Sequence, residues 1–518
     1  MAYSFHLAPL MSASFFCGVK YLVPKGIGCS HLSHIDSTSI RWLGFPGLGW
    51  GLSPIGTQHS MHGEVTYTQR TMNGMRNMVS DVSLCIVEPR VTWSHFELGE
   101  IVRFGPNSLS FNTSKAVSDI YAVRANVQKS DGYASMSPSR YTPNTLTAIP
   151  KNIHTFRRRI LTQAFSDQNI KEMEDRIQGN ISSFLDILTT DSEPESGWSS
   201  PKNMSQMCDW LAFDVITDLS YGNDLDMLNS PQMRWFPSVV RKISQRSLIG
   251  LFQPCFIKLR LDLVLLTQKY REILAAARWT RSQAAARMQI GNYDEQKDIF
   301  NAMMNARDKK TGLQFTRKDL GLESMLLLVA GSDTTATAIS ATLNYILHDA
   351  NILAHLIRVI RMAFPTESSI TTSSVLSSPD CSVLHACINE AMRLTPPAPN
   401  LLPRTVLSGG MEVDGIYVPA GTTVGVSAYT IHRNKTYFYN PDRFEPARWL
   451  DGNAAGQQKM QMAFVPFSVG PRKCVAWRLA WAELNLTIAR VLWRDKTMMS
   501  CSTVVRIATA AQWKAAMA

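Results

Sequence analysis

Apolar residues recur at Leu479, Ala482, Leu486, Ala489 and Trp493, the three-and-four spacing of a helix packed on one face, and the run begins just behind Cys474. A second run, Leu384 to Leu394, has the same period and is stopped by Pro396-Pro397. The longest runs from Leu322 to about Leu347, interrupted by Glu323 and Asp333, and those charges argue against a membrane span. Strand signals are sparse. Asp414-Gly415 between Met411-Glu-Val413 and Ile416-Tyr-Val418 is a two-residue hairpin turn, because both positions favour positive φ. The pattern elsewhere is mainly helical, so the expected fold is mainly α with a small β part. No internal repeat, phosphate-cradling glycine loop or zinc-type Cys/His spacing occurs.

Candidate chemistry concentrates in Phe467-Ser-Val-Gly470-Pro-Arg472-Lys-Cys474-Val-Ala476. A lone cysteine before a helix is most often a buried structural residue. Here the surrounding residue types favour a ligand. Gly470 permits backbone geometry closed to other residues and lets the loop run close to a flat cofactor. Phe467 can pack beside a metal-bound sulfur. The free N–H groups and dipole of the following helix favour thiolate over thiol. Arg472 can reach an acidic substituent on the cofactor.

This segment resembles the haem-binding signature of the cytochrome P450 family, Phe-x-x-Gly-x-Arg-x-Cys-x-Gly, with Ala476 in place of the last glycine. The resemblance implies the P450 fold, one large haem-enclosing domain, with the Cys474 thiolate as axial ligand of the haem iron. Further motifs follow in family order. Glu390-Ala-Met-Arg393 places a carboxylate and a guanidinium on one helix face. Asn440-Pro-Asp-Arg443-Phe-Glu-Pro resembles the family's Pro-x-Arg-Phe element. Glu390, Arg393 and Arg443 are therefore expected to form a buried network needed for haem incorporation. Ala330-Gly331-Ser332-Asp333-Thr334-Thr335 matches the family's oxygen-binding groove, which implies proton delivery by Asp333 and Thr334. His154 and Arg158, four apart, resemble a haem-propionate pair, and Arg404 in Leu402-Pro403-Arg404 resembles another propionate contact. Arg157 and Arg159 are expected on a solvated face. The substrate pocket is expected from residues 133–149, 239–256, 327–330 and 400–402, largely apolar segments.

Composition adds boundaries and exclusions. No linker rich in Pro, Gly or Ser divides residues 94–493, expected as the catalytic domain of this 518-residue chain. Residues 1–93 are expected as an N-terminal region in which Met1–Val19 forms a weak membrane anchor, and 494–518 as an atypical tail. Nine cysteines, scattered and odd in number, give no disulfide framework. A net charge of +11 is spread along the chain and not blocked into tails. Nucleic-acid binding is therefore not expected. The charge suits an acidic electron donor and an anionic membrane surface.

The implied activity is insertion of one oxygen atom from O2 into a small apolar substrate, with electrons from NADPH passed by a separate reductase. Phrases such as Phe213-Asp-Val-Ile-Thr-Asp-Leu-Ser-Tyr-Gly222 are similar to filamentous-fungal members that oxidise secondary metabolites, and the family implies an endoplasmic reticulum membrane with a cytosolic catalytic domain. Two alternatives stay open: a haem-thiolate isomerase or dehydratase that needs no O2, and a degenerate haem protein without activity. The retained Asp333-Thr334 pair counts against the first, and against a haem protein that only senses, whereas the degenerate reading rests on the unrecognisable segments 20–91 and 494–518.

Overall fold

Thr316 starts the longest helix, because its hydroxyl accepts the Asp319 N–H at 3.2 Å while the Asp319 carboxylate accepts the Thr316 N–H at 3.0 Å. This capping box satisfies two orphan donors at once. The helix then runs Arg317–Leu347, apolar around most of its circumference, which is the signature of a helix buried on all sides. Its length and composition would let it cross a membrane, yet most of it lies buried among other helices. The computed structural model describes residue 95 and residues 99–494, save 138, 140, 191–201, 223–224, 263–266, 291–296 and 451–453. The Met1–Val19 anchor and the tail beyond Arg494 lie outside the described residues.

Eight of the described helices position the site: α1 (Ser114–Tyr121), α2 (Lys151–Ala164), α3 (Met204–Tyr221), α4 (Phe236–Phe252), α5 (Thr267–Ile290), α6 (Arg317–Leu347), α7 (Ser382–Leu394) and α8 (Trp477–Arg494). α3 starts at Asn203, whose side chain accepts the Gln206 N–H, and ends on Gly222 at φ +67°. It packs along α6. A methyl group at Gly331 would come within 2.8 Å of Ile216, so glycine is what lets these helices approach. α7 and α8 flank α6, and their apolar faces join its core through Leu384, Ile388, Leu486 and Ile488.

The β part is small, as the pattern predicts. β1 (Ile101–Gly105), β2 (Ser108–Phe111), β3 (Val127–Lys129), β4 (Arg404–Val406) and β7 (Thr423–Val426) make one sheet in the order β1-β2-β7-β4-β3. Only β2 and β7 pair parallel. β5 (Met411–Val413) and β6 (Ile416–Val418) form the predicted hairpin, with Asp414 and Gly415 at φ +53° and +77°. Placing β3 beside β4 has a consequence for the site: Lys129 lies opposite Arg404.

Inside α8 sits a carboxylate without compensation. Glu483 is buried, its Oε1 has no hydrogen-bond partner, and burial pushes its carboxyl up to about 8. A folded-state value above the unfolded one means that the folded protein holds the extra proton, so stability is full at low pH and falls as pH rises toward 8. Glu483→Gln carries the neutral form at every pH. Its stability advantage over the parent should widen between about pH 5 and pH 8, by at most about 1.4 kcal/mol per pH unit, and then level off. Chemical-denaturation midpoints across that range check it, and parallel curves would show that Glu483 does not titrate there.

Candidate active site

Cys474 follows a tight loop that two positive-φ residues make possible, Ser468 at +58° and Gly470 at +71°. The Cys474 N–H donates to the Phe467 carbonyl at 2.9 Å, and Lys473 N–H to the Gly470 carbonyl at 3.0 Å. The helix behind the cysteine begins at Trp477. A Cβ on Gly470 would sit 1.9 Å from the Tyr121 carbonyl. The close neighbour that requires glycine is thus the end of α1. The positive φ agrees with the backbone freedom expected of Gly470, and this contact is a further reason for glycine, fixing the loop's position.

The Cys474 side chain has open surface, yet protein surrounds it closely enough that burial pushes the thiol up. The Ala476 N–H, Arg158 and Lys473 oppose that rise. A cation bound at the sulfur would complete the change to thiolate. A recess of about 440 Å³ runs along Phe464 to Gly470, Lys473, Trp477 and Trp481, and Cys474 is not in its lining.

Around this loop the structure gathers cations from separate elements. Arg472 donates to the carbonyls of Ala148 (2.6 Å) and Ile149 (3.0 Å). Arg404 is buried and donates to Tyr133 Oη at 3.3 Å and Pro403 O at 3.1 Å. Arg158 donates to the Lys473 carbonyl, one residue before Cys474. Lys129, buried on β3, donates to the Leu146 carbonyl and lies 4.3 Å over the Tyr133 ring. His154 is buried with them. Burial first, then Arg472, Lys129, Arg158 and Arg404, lowers its imidazole to about 3, so it is neutral near pH 7. Burial and Arg404 likewise depress Lys129 strongly and bring Arg472 down to about 10. Among the described residues, no acidic side chain forms an ion pair with any of these five.

Guanidiniums held partly or wholly out of water without anions are costly, and an incoming group with two carboxylates would pair with them and accept from Lys129 and His154 as well. The donor set thus fits haem. His154, Arg158, Arg404 and Arg472 were expected on this nest; Lys129 and Tyr133's hydroxyl were not assigned to it. Arg157 departs from the solvated-face expectation, being buried and bonded to Asp319 and, at 2.8 Å, to Glu323. Arg159 is partly exposed and pairs with Asp308 at 3.1 Å.

Thr334 and Asp333 lie at the middle of α6. Thr334 Oγ1 donates to the Ala330 carbonyl at 2.7 Å, and Ala330 is exposed although the helix around it is core, so this stretch borders open space. Burial raises the Asp333 carboxyl, with Arg241 opposing. No described residue is recorded donating a hydrogen bond to that carboxylate.

The expected network of Glu390, Arg393 and Arg443 needs one correction. Arg393 Nε and Nη2 hold Glu390 at 2.9 and 2.8 Å, both residues fully buried. The second guanidinium on Glu390 is Arg448, at 3.0 Å, joined by the Trp449 indole N–H at 2.9 Å and the Glu445 N–H at 3.0 Å. Arg443 is exposed, and only its backbone carbonyl enters the network, accepting from Arg393 at 3.0 Å. The sequence repeats the same signal, Pro441-Asp-Arg443-Phe444 and Pro446-Ala-Arg448-Trp449. The 3₁₀ turn Pro446–Trp449 carries the second copy against α7.

A cysteine held on a fixed loop, a nest of basic side chains beside it and an acid–alcohol pair in the central helix are features that a haem-thiolate oxidoreductase needs. The chain belongs to the cytochrome P450 family, whose sequence profile matches residues 104–497. It is similar to the cytochrome P450 monooxygenase poxM of Penicillium oxalicum, 37% identical over 407 residues, 77% of this chain and 77% of that protein. A cytochrome P450 monooxygenase of Gibberella zeae is 34% identical over 374 residues, covering 72% and 85%. Another, atnE of Emericella nidulans, is 32% identical over 418 residues, covering 77% and 78%. The protein is thus an oxidoreductase of the monooxygenase type, mainly helical with a small sheet.

Proposed function

We propose that this protein inserts one oxygen atom from O2 into a small apolar substrate of fungal secondary metabolism, with electrons from NADPH delivered by a separate reductase at the endoplasmic reticulum membrane. The observation that carries the reading is the cluster of five basic groups beside the Cys474 loop, Lys129, His154 and Arg404 buried and Arg158 and Arg472 half-buried, with no acidic partner among the described residues. Cys474 would hold the haem iron, and Lys129, His154, Arg158, Arg404 and Arg472 would hold the propionates. When bound, haem supplies the oxygen-activating chemistry, and the protein supplies ligand, orientation and protons.

On the chain's own side, Thr334 offers a hydroxyl that can leave the Ala330 carbonyl and turn into the open space. Asp333, one residue away, is kept prone to protonation by burial, which suits a group that accepts protons from outside and passes them inward. Leu327 and Leu328 line the same central helix as buried apolar residues, consistent with a substrate held by shape.

The test is the reduced carbon monoxide difference spectrum of the recombinant protein. The parent should show the red-shifted Soret band of a thiolate-ligated haem, and Cys474→Ser should lose it, because a neutral hydroxyl replaces the thiolate. A shifted band that survives the substitution would remove Cys474 as ligand.

A further inference from the structure

Among the described residues, the bonded backbone N–H groups of residues 464–474 find their partners inside the same stretch of chain, with one exception. Phe464 donates to the Gln461 carbonyl at 3.3 Å, Ser468 to Val465 at 2.9 Å, Lys473 to Gly470 at 3.0 Å and Cys474 to Phe467 at 2.9 Å. The Val465 N–H instead donates at 2.9 Å to Nε2 of His432, 33 positions earlier. An N–H can only donate, so Nε2 carries a lone pair and the ring proton sits on Nδ1, where the Arg393 backbone favours it. His432 is fully buried, its ring 5.3 Å from that of Phe464 and 6.3 Å from that of Phe438. Burial, then Arg393 and Arg433, lowers its imidazole to about 3, so the ring is a neutral acceptor near pH 7. The His432 carbonyl accepts Arg393 Nη1 at 2.8 Å, and its N–H donates to the Ala428 carbonyl at 3.0 Å. One residue is thus held through both of its backbone groups, by the arginine that also holds Glu390, while its ring holds the approach to Cys474.

We propose that His432 is a positioning residue for the Cys474 loop, its Nε2 fixing Val465 and with it the turn that carries the cysteine. The proposal rests on the haem-thiolate reading above and adds the contact through which the Glu390–Arg393 network reaches that loop. Ser468, at φ +58°, holds a conformation that costs a residue with a side chain energy and persists only where its surroundings fix it. Its N–H closes on the Val465 carbonyl, and the neighbouring Phe467 carbonyl accepts the Cys474 N–H. Val465 is therefore the base of the turn, and the bond to His432 sets where that base lies. Leucine at position 432 would fill much of the same space and leave the Val465 N–H unpaired. A glutamine amide reaches about as far as Nε2 and can accept that N–H, whereas an asparagine amide stops near Nδ1.

The experiment compares the haem-loaded parent with His432→Leu, His432→Gln and His432→Asn, by amide hydrogen exchange of the peptide spanning 464–474 and by the reduced carbon monoxide spectrum followed over time. In His432→Leu that peptide should exchange at least about fivefold faster, the lower end for a donor left unpaired, with peptides from α7 and α8 within about twofold of the parent. Its carbon monoxide band should pass from the red-shifted to the unshifted position about tenfold faster, the lower end for losing a group that orients a metal ligand. His432→Gln should stay within about threefold of the parent in both measurements, a rescue that packing alone would not give, and His432→Asn should follow the leucine variant. Should His432→Leu not fold, the glutamine and asparagine variants decide, with protection expected in the first and lost in the second. Equal exchange of 464–474 in the variants compared, or acceleration of the same size in α7 and α8, overturns the positioning role. A glutamine variant no better than leucine or asparagine overturns it as well. Absence of the red-shifted band in the parent would instead overturn the haem-thiolate reading, and the exchange comparison reports on the bond between His432 and Val465 independently of it.

Discussion

Glu390→Ala and Arg448→Ala should yield little haem-loaded protein, whereas Arg443→Ala should be nearly indistinguishable from the parent. Glu390 is fully buried and accepts five hydrogen-bond donors, from Arg393, Arg448, Trp449 and the Glu445 backbone. Its removal leaves the buried Arg393 guanidinium without its anion, at a cost of roughly 3–5 kcal/mol. Arg393 keeps the carbonyls of His432, Pro441 and Arg443, so it stays solvated by the backbone but uncompensated in charge. Losing Arg448 removes one charge-assisted bond to Glu390 and the 2.8 Å bond to the Tyr439 carbonyl, about 2–3 kcal/mol. Arg443 contributes its carbonyl alone, which alanine retains, so a change within about 0.5 kcal/mol is expected. Haem absorbance per protein and denaturation midpoints for the three variants measure this. An Arg443→Ala protein as poor as Arg448→Ala would restore the first copy of the motif to the network.

That pair of arginines shows what kind of information the sequence carries. Two Pro-x-Arg-aromatic segments five residues apart are equivalent as text, and only the direction in which the chain meets α7 separates them. The same holds for Arg157. Its neighbours make it one of three consecutive arginines, and its acidic partners stand 162 and 166 positions away on α6. Local features fared differently. The Asp414-Gly415 hairpin and the end of α7 follow from turn chemistry and a proline stop within a few residues, whereas α6 starts at Arg317 on its Thr316 cap, ahead of the expected Leu322. The cysteine loop was legible for the same reason, since glycine, arginine and cysteine share eight positions. Of the basic side chains in the nest, all but Lys129 were legible too. Lys129 joins it because β3 pairs with β4, a long-range pairing that puts it opposite Arg404.

The nest and the central helix together set the expectation for Thr334→Ala. In the folded protein its hydroxyl is bonded only to a carbonyl one turn back, a bond that helices tolerate losing, so the substitution should leave haem content and thermal stability close to the parent. Alanine is also the better helix former, by a few tenths of a kcal/mol. What the variant lacks is a hydroxyl that can turn from α6 toward the open space beside Ala330, while Asp333 remains. Protons should then arrive without being placed, and oxygen taken up should leave as hydrogen peroxide in place of oxidised product. Positioned proton transfer contributes about 10²–10⁴-fold, so even the lower figure makes the loss of coupling plain. With reductase present, NADPH consumption should continue while peroxide formed per NADPH approaches one. An Asp333→Asn variant should behave differently, with slow NADPH consumption and little peroxide, because there the supply and not the placement is missing. Should Thr334→Ala release no more peroxide than the parent, the hydroxyl has no part in proton placement, and an oxygen-independent isomerase becomes the better account of the site.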